Sequence, residues 1–209
     1  IYSRAKNEIT ELLTTPTIRD MIGYSTSATS QGGFARAGYP LKSIFSVPFN
    51  GLNDRGLPTF LNEHDQSTIR FDSRNVDFLK YAGTLIPTDK GSFSNTFHYK
   101  GISLGVVLTY SYGNVVRLRK LSNIYTDYGI VPRELNNRWQ FAGDETKTNI
   151  PVVYTTFMQN AYGYNEISQA YNTYDYSDIR IAKGDNIRLK EISLGYTFDK
   201  DFLRETRIR

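Results

Sequence analysis

Residues 91–113 are the segment that most restricts how this chain can fold, because their side chains alternate in polarity over two successive stretches of about ten residues. In the second stretch, Ile102–Tyr112, every other residue is apolar or aromatic, and those between are small or polar except Val107. In the first stretch Phe93, Phe97 and Tyr99 are an even number of positions apart, so they fall on one face. A period of two indicates β-strands with one apolar face and one polar face.

Lys100 and Gly101 lie between the two stretches and predict a tight turn, so the segment is a predicted β-hairpin. A tilted β-strand crosses a bilayer with roughly 9–11 residues, and aromatic side chains gather at both lipid interfaces. The hairpin has this length, and its apolar face carries aromatic residues at its ends. We therefore expect an all-β fold, an antiparallel transmembrane β-barrel with long extracellular loops.

A second alternating block occupies residues 184–198. Its later apolar residues, Ile192, Leu194, Tyr196 and Phe198, are at even-numbered positions. The earlier ones, Ile187 and Leu189, are at odd-numbered positions. The phase changes at Lys190 and Glu191, which predicts either a β-bulge, because one extra residue shifts the alternation, or a twist at the rim of the barrel. Between the two blocks, residues 114–151 are polar and show no alternation, as expected of a long loop at one rim of a barrel.

Composition excludes several classes of function. The chain has no cysteine, so disulfides, zinc–thiolate sites and cysteine nucleophiles are unavailable. Its 25 basic and 21 acidic residues are interspersed, with a net charge of +4, so we predict no nucleic-acid partner. The mean hydropathy of −0.45 is compatible with a barrel, whose lumen-facing residues and loops are polar.

No motif predicts catalysis, a cofactor or a metal site. The two histidines, His64 and His98, have no second ligand at a metal-binding spacing. The patterns of nucleophile elbows, zinc proteases and phosphate-binding loops are missing from the sequence. The adjacent acids Asp144 and Glu145 fit a solvated turn better than a Ca²⁺ site. We predict that the chain is not an enzyme and has no catalytic residue, cofactor or metal ligand.

One stretch of the chain is rich in asparagine and tyrosine. Because aromatic faces and amides bind sugars and peptides, its tyrosines are the candidate ligand-contact residues. These candidates are Tyr162, Tyr164, Tyr171, Tyr174 and Tyr176. Two alternatives remain open, that the tyrosines form an interfacial aromatic girdle and that they pack loop against loop. A basic cluster, Arg117, Arg119 and Lys120, is interpreted as solvated surface, with anionic lipopolysaccharide or a partner lipoprotein as the alternative partner.

Four sequence blocks occur in the order found in one known family. They are GYPLKSIFSVPFNGLNDRGLPTF at 38–60, the hairpin block at 81–113, RWQFAGDETKTNIP at 138–151 and GDNIRLKEISLGYTF at 184–198. Together they resemble the C-terminal barrel part of the SusC/RagA family of TonB-dependent outer-membrane transporters of Bacteroidetes. The chain departs from the family at Ala142, where proline is usual, and residues 14–34 are too few to hold a further family hairpin.

The resemblance implies that residues 1–209 are the C-terminal part of a plugged barrel of about 22 strands, with the plug domain and the final strand outside them. It implies import of oligosaccharides, or of peptides as in the RagA branch, across the cell outer membrane. The implied partners are a SusD-like surface lipoprotein, TonB acting through the missing N-terminal region, and outer-membrane lipid. The implied lumen-lining residues are Ser94, Thr96, His98, Ser103 and Thr109. They are expected to make and break no covalent bond.

Two other classes fit parts of the pattern. A soluble or surface-attached glycan-binding β-sandwich requires turns every 8–12 residues and two sheets that share a buried face. The long polar loops and the bilayer-length hairpin argue against that class. A porin-like barrel without TonB coupling has the same strand pattern, and an upstream plug sequence would exclude it.

Overall fold

The computed structural model describes residues 1–13, 15–18, 35–64, 66–69, 75–121 and 132–198. The helices and strands that the structure gives with bounds are short 3₁₀-helices, eleven β-strands and two α-helices, α1 (Thr156–Tyr162) and α2 (Tyr164–Asp175). The strands are β1 (Tyr2–Arg4), β2 (Ser43–Ser46), β3 (Phe49–Leu52), β4 (Pro58–Leu61), β5 (Ser67–Thr68), β6 (Lys80–Thr84), β7 (Asp89–Tyr99), β8 (Ile102–Tyr112), β9 (Val115–Arg117), β10 (Ile181–Lys183) and β11 (Asn186–Tyr196).

The chain divides into two compact units. The first unit comprises residues 1–6, 87–114 and 184–209, and its described part is one antiparallel sheet in the order β1-β7-β8-β11. The second unit comprises residues 7–86 and 115–183. It contains both α-helices and three small sheets, β2-β6, β3-β4-β5 and β9-β10.

Strands β7 and β8 form the hairpin that the sequence predicts. Each strand has 11 residues, and they pair along their whole length, from Asp89 opposite Tyr112 to Tyr99 opposite Ile102. Lys100 and its neighbour Gly101 have φ angles of 45° and 81°. These left-handed values are required at both central residues of a two-residue type I′ turn, whose twist matches that of the strands. The predicted hairpin and turn are confirmed.

The predicted bulge lies in β11. Its register with β8 shifts between Leu189 and Glu191, which leaves Lys190 as the extra residue. Leu189 lies opposite Leu108, and Ile192 lies opposite Val106. Leu108 and Val106 are two residues apart in β8, so they lie on the same face of the sheet. The apolar residues of β11 before the bulge and those after it therefore also share this face. The bulge therefore corrects the change of phase that the sequence shows.

Aromatic and aliphatic side chains form the core of the second unit. The buried members of the larger cluster are Phe45, Val47, Phe60, Leu79, Leu121, Tyr174 and Tyr176. A second cluster combines Leu57 with Ile167, Ala170 and Tyr171 of α2. Positions 167, 170, 171 and 174 have the spacing of one helix face. This stripe packs α2 against the strands of the unit and turns its polar face outward.

The two α-helices correct the expectation of an all-β fold. Thr155 caps α1, because its side-chain oxygen accepts a hydrogen bond from the Met158 N–H at 3.4 Å. Gly163, with a φ of 91°, joins α1 to α2. The abundance of tyrosine favours strands on average, but here the 3.6-residue repeat of buried side chains in α2 decides the structure. The chain is mostly β and antiparallel rather than all-β.

The predicted loop at residues 114–151 also contains regular structure. Its first part forms β9, which pairs with β10, and Arg133–Asn137 and Asp144–Thr146 form 3₁₀-helices. Most of the region where a family hairpin is missing, residues 14 and 19–34, lies outside the described residues, as does the end of the chain after Phe198. Among the described residues, no helix is long and apolar enough to span a bilayer.

Candidate functional site

The sheet of the first unit has an apolar face that stays open. The register places alternate residues of β7, β8 and β11 together on this face, among them Phe93, Phe97, Leu104, Val106, Leu108, Ile187, Leu189, Ile192 and Leu194. Several of these side chains are more than half exposed, for example Phe97 at 57%, Ile192 at 61% and Leu194 at 76%. A soluble antiparallel sheet buries one face in a core, and contiguous apolar patches wider than a few hundred Å² are rare on soluble monomers.

Aromatic side chains mark both ends of this apolar face. At the turn end the rings of Tyr196 and Phe198 meet edge to face, with centroids 4.8 Å apart. At the other end the rings of Tyr110 and Tyr112 are 5.8 Å apart. An 11-residue strand is about 36 Å long, and a tilt of about 40° reduces its height to about 28 Å. These proportions are those of a bilayer-spanning strand between two interfacial belts.

The opposite face of the sheet carries all five residues that the sequence assigns to a lumen. Ser94 lies opposite Val107, and Thr96 lies opposite Gly105. His98 pairs with Ser103, and Thr109 with Ser92, on the same face. At Gly105 an added Cβ would lie 2.4 Å from the Ser193 hydroxyl oxygen, so glycine keeps this surface flat. The shared face of these residues is confirmed, and it is lined by hydroxyl groups.

The structure separates the five candidate tyrosines into two groups. Tyr171, Tyr174 and Tyr176 are buried, with 4%, 1% and 1% of their surface exposed. The Tyr174 hydroxyl donates a hydrogen bond to the Asn149 carbonyl at 3.0 Å, and the Tyr171 hydroxyl donates to the Val152 carbonyl. Burial raises the pKa of Tyr174 to about 12, so its hydroxyl stays protonated. A ligand reaches these three rings only if the core repacks.

Tyr162 and Tyr164 remain accessible. Tyr164 is 65% exposed, whereas Tyr162 is half-buried and its hydroxyl accepts a hydrogen bond from the Arg55 guanidinium. Tyr164 lines a cavity of about 700 Å³ on the outward face of α2. Its other lining side chains are polar, namely Asn165, Glu166, Ser168, Gln169 and Asn172. The sequence analysis missed this amide-rich face because it did not predict the helix that gathers these residues on one side.

Arg117 does not belong to a solvated basic surface. It is 6% exposed, and its Nη2 donates a hydrogen bond of 2.9 Å to the Phe45 carbonyl. Its guanidinium carbon lies 4.9 Å from the centre of the Tyr176 ring. Burial lowers the pKa of Arg117 to about 10, because the charged form loses hydration. This cation therefore belongs to the core of the second unit.

Residues 138–150 form a folded loop in which two carboxylates accept hydrogen bonds from N–H groups of the same loop. The Asp144 carboxylate accepts hydrogen bonds from the backbone N–H groups of Phe141 and Gln140, at 3.0 and 3.2 Å. The Glu145 carboxylate accepts a hydrogen bond of 2.9 Å from the Trp139 indole N–H. Donation from Phe141 lowers the pKa of Asp144, and donation from Trp139 lowers the pKa of Glu145.

Both carboxylates of this loop are therefore hydrogen-bonded to N–H groups of the chain itself. Within the described ranges no group of three or more His, Cys, Asp and Glu side chains is placed to hold a metal ion. The predictions of no metal and no catalytic residue stay predictions.

Comparison with known proteins finds a relative in sequence and solved structures with a similar fold, two of which are described below. No family model matches the chain. The TonB-dependent receptor P39 of Formosa agariphila is 28% identical over 127 residues, which are 55% of this chain and 10% of the relative. A structure of the RagAB peptide importer in the open-open state covers 97% of this chain and 20% of the solved chain, with 16% identity and a TM-score of 0.58. A structure of the RagAB peptide transporter covers 80% and 18%, with 17% identity and a TM-score of 0.51.

These similarities show a distant sequence relationship and a shared fold. The chain has a weak homology to part of a TonB-dependent receptor. Its fold resembles that of part of a chain in the two RagAB structures. The chain spans about a tenth of the curated relative and about a fifth of the solved chains that it matches.

Proposed function

We propose that residues 1–209 are a C-terminal barrel portion of a TonB-dependent importer of the SusC/RagA type, located in the outer membrane. The observation that carries this proposal is the sheet of the first unit, whose apolar face is exposed between two aromatic belts while its other face is polar. A barrel wall needs both properties, because one face contacts lipid and the other lines a water-filled lumen. The similarity to a TonB-dependent receptor supports the same class.

The connections of the sheet support an orientation in the membrane. At one end β7 and β8 are joined by the Lys100–Gly101 turn. At the other end each of the four strands continues into the second unit, at the boundaries 6/7, 86/87, 114/115 and 183/184. Outer-membrane barrels have short periplasmic turns and longer extracellular loops. The segments that leave the sheet at this end are therefore proposed as extracellular loops, and the two-residue turn is proposed to face the periplasm.

The chain contributes to import without making or breaking bonds. Its polar face offers hydroxyl groups to water and cargo, and its apolar face holds the wall in lipid. The cargo is an oligosaccharide, or a peptide as in the RagA branch. A SusD-like lipoprotein delivers it from the surface side, and TonB supplies energy through a plug outside these residues. The two RagAB structures are those of a peptide importer and a peptide transporter, which supports a peptide as one candidate cargo.

The accessible part of the predicted tyrosine site is the proposed cargo contact in the loops. Tyr164 and the carboxamides of Asn165, Gln169 and Asn172 line one cavity. Side-chain amides both donate and accept hydrogen bonds, and the tyrosine ring adds a flat contact surface. This combination suits a polar chain such as a sugar oligomer or a peptide backbone.

The glycan-binding β-sandwich is the weaker candidate. A sandwich buries the inner faces of two sheets against each other. In the part of the chain that the structure describes, residues on both faces of β11 are exposed along its whole length. A sheet open on both sides fits a barrel wall and does not fit a sandwich core.

Uptake by cells that carry the full-length protein tests the proposed function. We expect that deleting the gene abolishes uptake of a labelled oligosaccharide or peptide, and that dissipating the proton gradient in complemented cells has the same effect. Uptake that survives loss of the gradient would contradict TonB coupling and favour a porin-like barrel. Recovery of the protein in the soluble fraction, without detergent, would contradict the barrel itself.

The same assay tests the cargo contact on α2. Tyr164→Ala should lower uptake roughly three- to tenfold, because an aromatic contact contributes about 0.5–1.5 kcal/mol. Phe157→Ala is the matched control, because Phe157 is also an exposed aromatic residue, 80% accessible, on the neighbouring helix α1 and does not line the cavity. Equal effects of the two substitutions would remove Tyr164 from the cargo path.

A further inference from the structure

Cations outnumber carboxylates on the polar face of the first unit's sheet. Lys90 shares a row with Ser111 and Asn186, and Arg188 shares the next row on that face with Thr109 and Ser92. Lys190 is the extra residue of the bulge, directly before Glu191. Glu191, opposite Val107, is the one carboxylate on this face within the described strands.

These cations are free to bind an external anion. Lys90, Arg188 and Lys190 are exposed, and none of them forms an ion pair with another residue in the described part of the unit. The ion pair that the structure does show in this unit joins Arg4 to Asp89, at 3.6 Å. Asp89 lies opposite Tyr112, on the apolar face. The carboxylate nearest to Lys90 in sequence is thus directed to the other side of the sheet.

The spacing of the cations fits an extended ligand. Lys90 in β7 and Arg188 in β11 lie on either side of β8, two strand spacings apart and offset by two residues along the strands, so their Cα atoms are about 12 Å apart. The positions between them carry the hydroxyl groups of Ser111, Thr109 and Ser92. A ligand that spans this distance meets a cation at each end and hydrogen-bonding groups in the middle.

We propose that this polar face, with Lys90 and Arg188, selects acidic oligosaccharides as cargo. The inference rests on the proposed function, which places the face in the importer's lumen. Rings of basic side chains favour anions in pores, because charge in a narrow aqueous passage raises the local concentration of the opposite charge. Uronate or sulfate groups would pair with the cations, while the sugar hydroxyls exchange hydrogen bonds with the serine and threonine hydroxyls.

An acidic glycan fits this face better than an acidic peptide. Most peptides carry apolar side chains, and sites for them contain apolar pockets. Between Lys90 and Arg188 the face presents hydroxyl and amide groups, and Val107 is its one large apolar side chain in the described strands. Glycans present hydroxyl groups along their whole length and need no such pockets.

Binding and uptake with the full-length protein test this inference. The probes are an oligogalacturonate and a neutral cello-oligosaccharide of the same length, with an acidic peptide as a third probe. Lys90→Gln and Arg188→Gln remove the charge and keep a polar side chain. Lys100→Gln is the matched control, because it removes one charge from the turn of the same hairpin.

We expect the unsubstituted protein to bind the acidic oligosaccharide more tightly than the neutral one. Each of the two substitutions should weaken that binding roughly threefold, the size of one exposed charge contact. The loss should shrink at high salt, because the Debye length falls below about 10 Å above 0.1 M. The neutral oligosaccharide should bind equally to all variants, and Lys100→Gln should change nothing.

Three results would overturn the inference. The first is equal binding of acidic and neutral oligosaccharides by a protein that imports both, and this result leaves the proposed function intact. The second is a charge-dependent effect on the acidic peptide alone. The third is the absence of uptake for every probe, which would overturn the proposed function together with the inference.

Discussion

Val106→Arg should strongly destabilise the barrel in the membrane, by about 2–4 kcal/mol, which is the cost of an arginine at the midplane of a lipid-facing strand. Val106 lies near the middle of β8 and on the apolar face, where Ile192 of β11 is its neighbour. The guanidinium would either enter hydrocarbon or draw water into it. We expect less folded protein in the outer membrane and a lower urea concentration at the midpoint of unfolding in lipid vesicles.

Val107→Arg is the matched control, because the same change is made at the next residue of the same strand. Val107 lies on the polar face, opposite Ser94 of β7 and Glu191 of β11. An arginine there meets water and a carboxylate, so its effect should stay within about 0.5 kcal/mol, as at an ordinary exposed site. Equal destabilisation by the two substitutions, or a larger effect at Val107, would contradict the assignment of faces.

Gly56→Ala should produce the second large effect. In the second unit, the loop at residues 138–150, whose Trp139 ring packs on Gly56, should open. Gly56 has a φ of 74°, and an added Cβ would lie 2.5 Å from the Trp139 ring. The backbone around it is fixed by two hydrogen bonds, Gly56 N–H to the Asn53 carbonyl and Val152 N–H to the Gly56 carbonyl. A left-handed conformation costs about 1–2 kcal/mol with a side chain, and overpacking adds about 1–3 kcal/mol.

Gly51→Ala separates these two contributions. Gly51 also has a left-handed φ, of 89°, but an added Cβ there meets nothing within 4 Å. It should therefore cost only the backbone part, about 1–2 kcal/mol. Hydrogen exchange of residues 139–152 in the full-length protein measures both variants, and exchange should rise much more for Gly56→Ala. Similar exchange in the two variants would mean that Trp139 does not pack closely on Gly56.

The strands of the first unit could be predicted from the sequence because their signal is local. Alternation with a period of two located β7, β8 and the Lys100–Gly101 turn, and a change of phase located the bulge at Lys190. The pairing of β8 with β11 joins residues that are more than 70 positions apart, and the alternation does not encode it. The sequence analysis made no prediction of that pairing.

The second unit could be predicted much less well, because its structure depends on tertiary contacts. Arg117 is buried since its guanidinium reaches the carbonyl of Phe45, which is 72 residues earlier in the chain. The tyrosine-rich stretch was interpreted by composition, although Ile167, Ala170 and Tyr174 have helical spacing. A test for that spacing would have separated the buried tyrosines from Tyr164 and the amide-lined cavity.

Cysteine accessibility along β8 is the measurement that tests the central claim most directly. The chain has no cysteine, so each introduced thiol is unique within it. Single substitutions to cysteine at positions 103, 104, 106, 107, 108 and 109 of the full-length protein would be exposed to a water-soluble maleimide in intact outer membranes. We predict that positions 103, 107 and 109 react, while positions 104, 106 and 108 are protected by lipid. Reaction at all positions alike, without this period of two, would contradict a membrane-spanning wall.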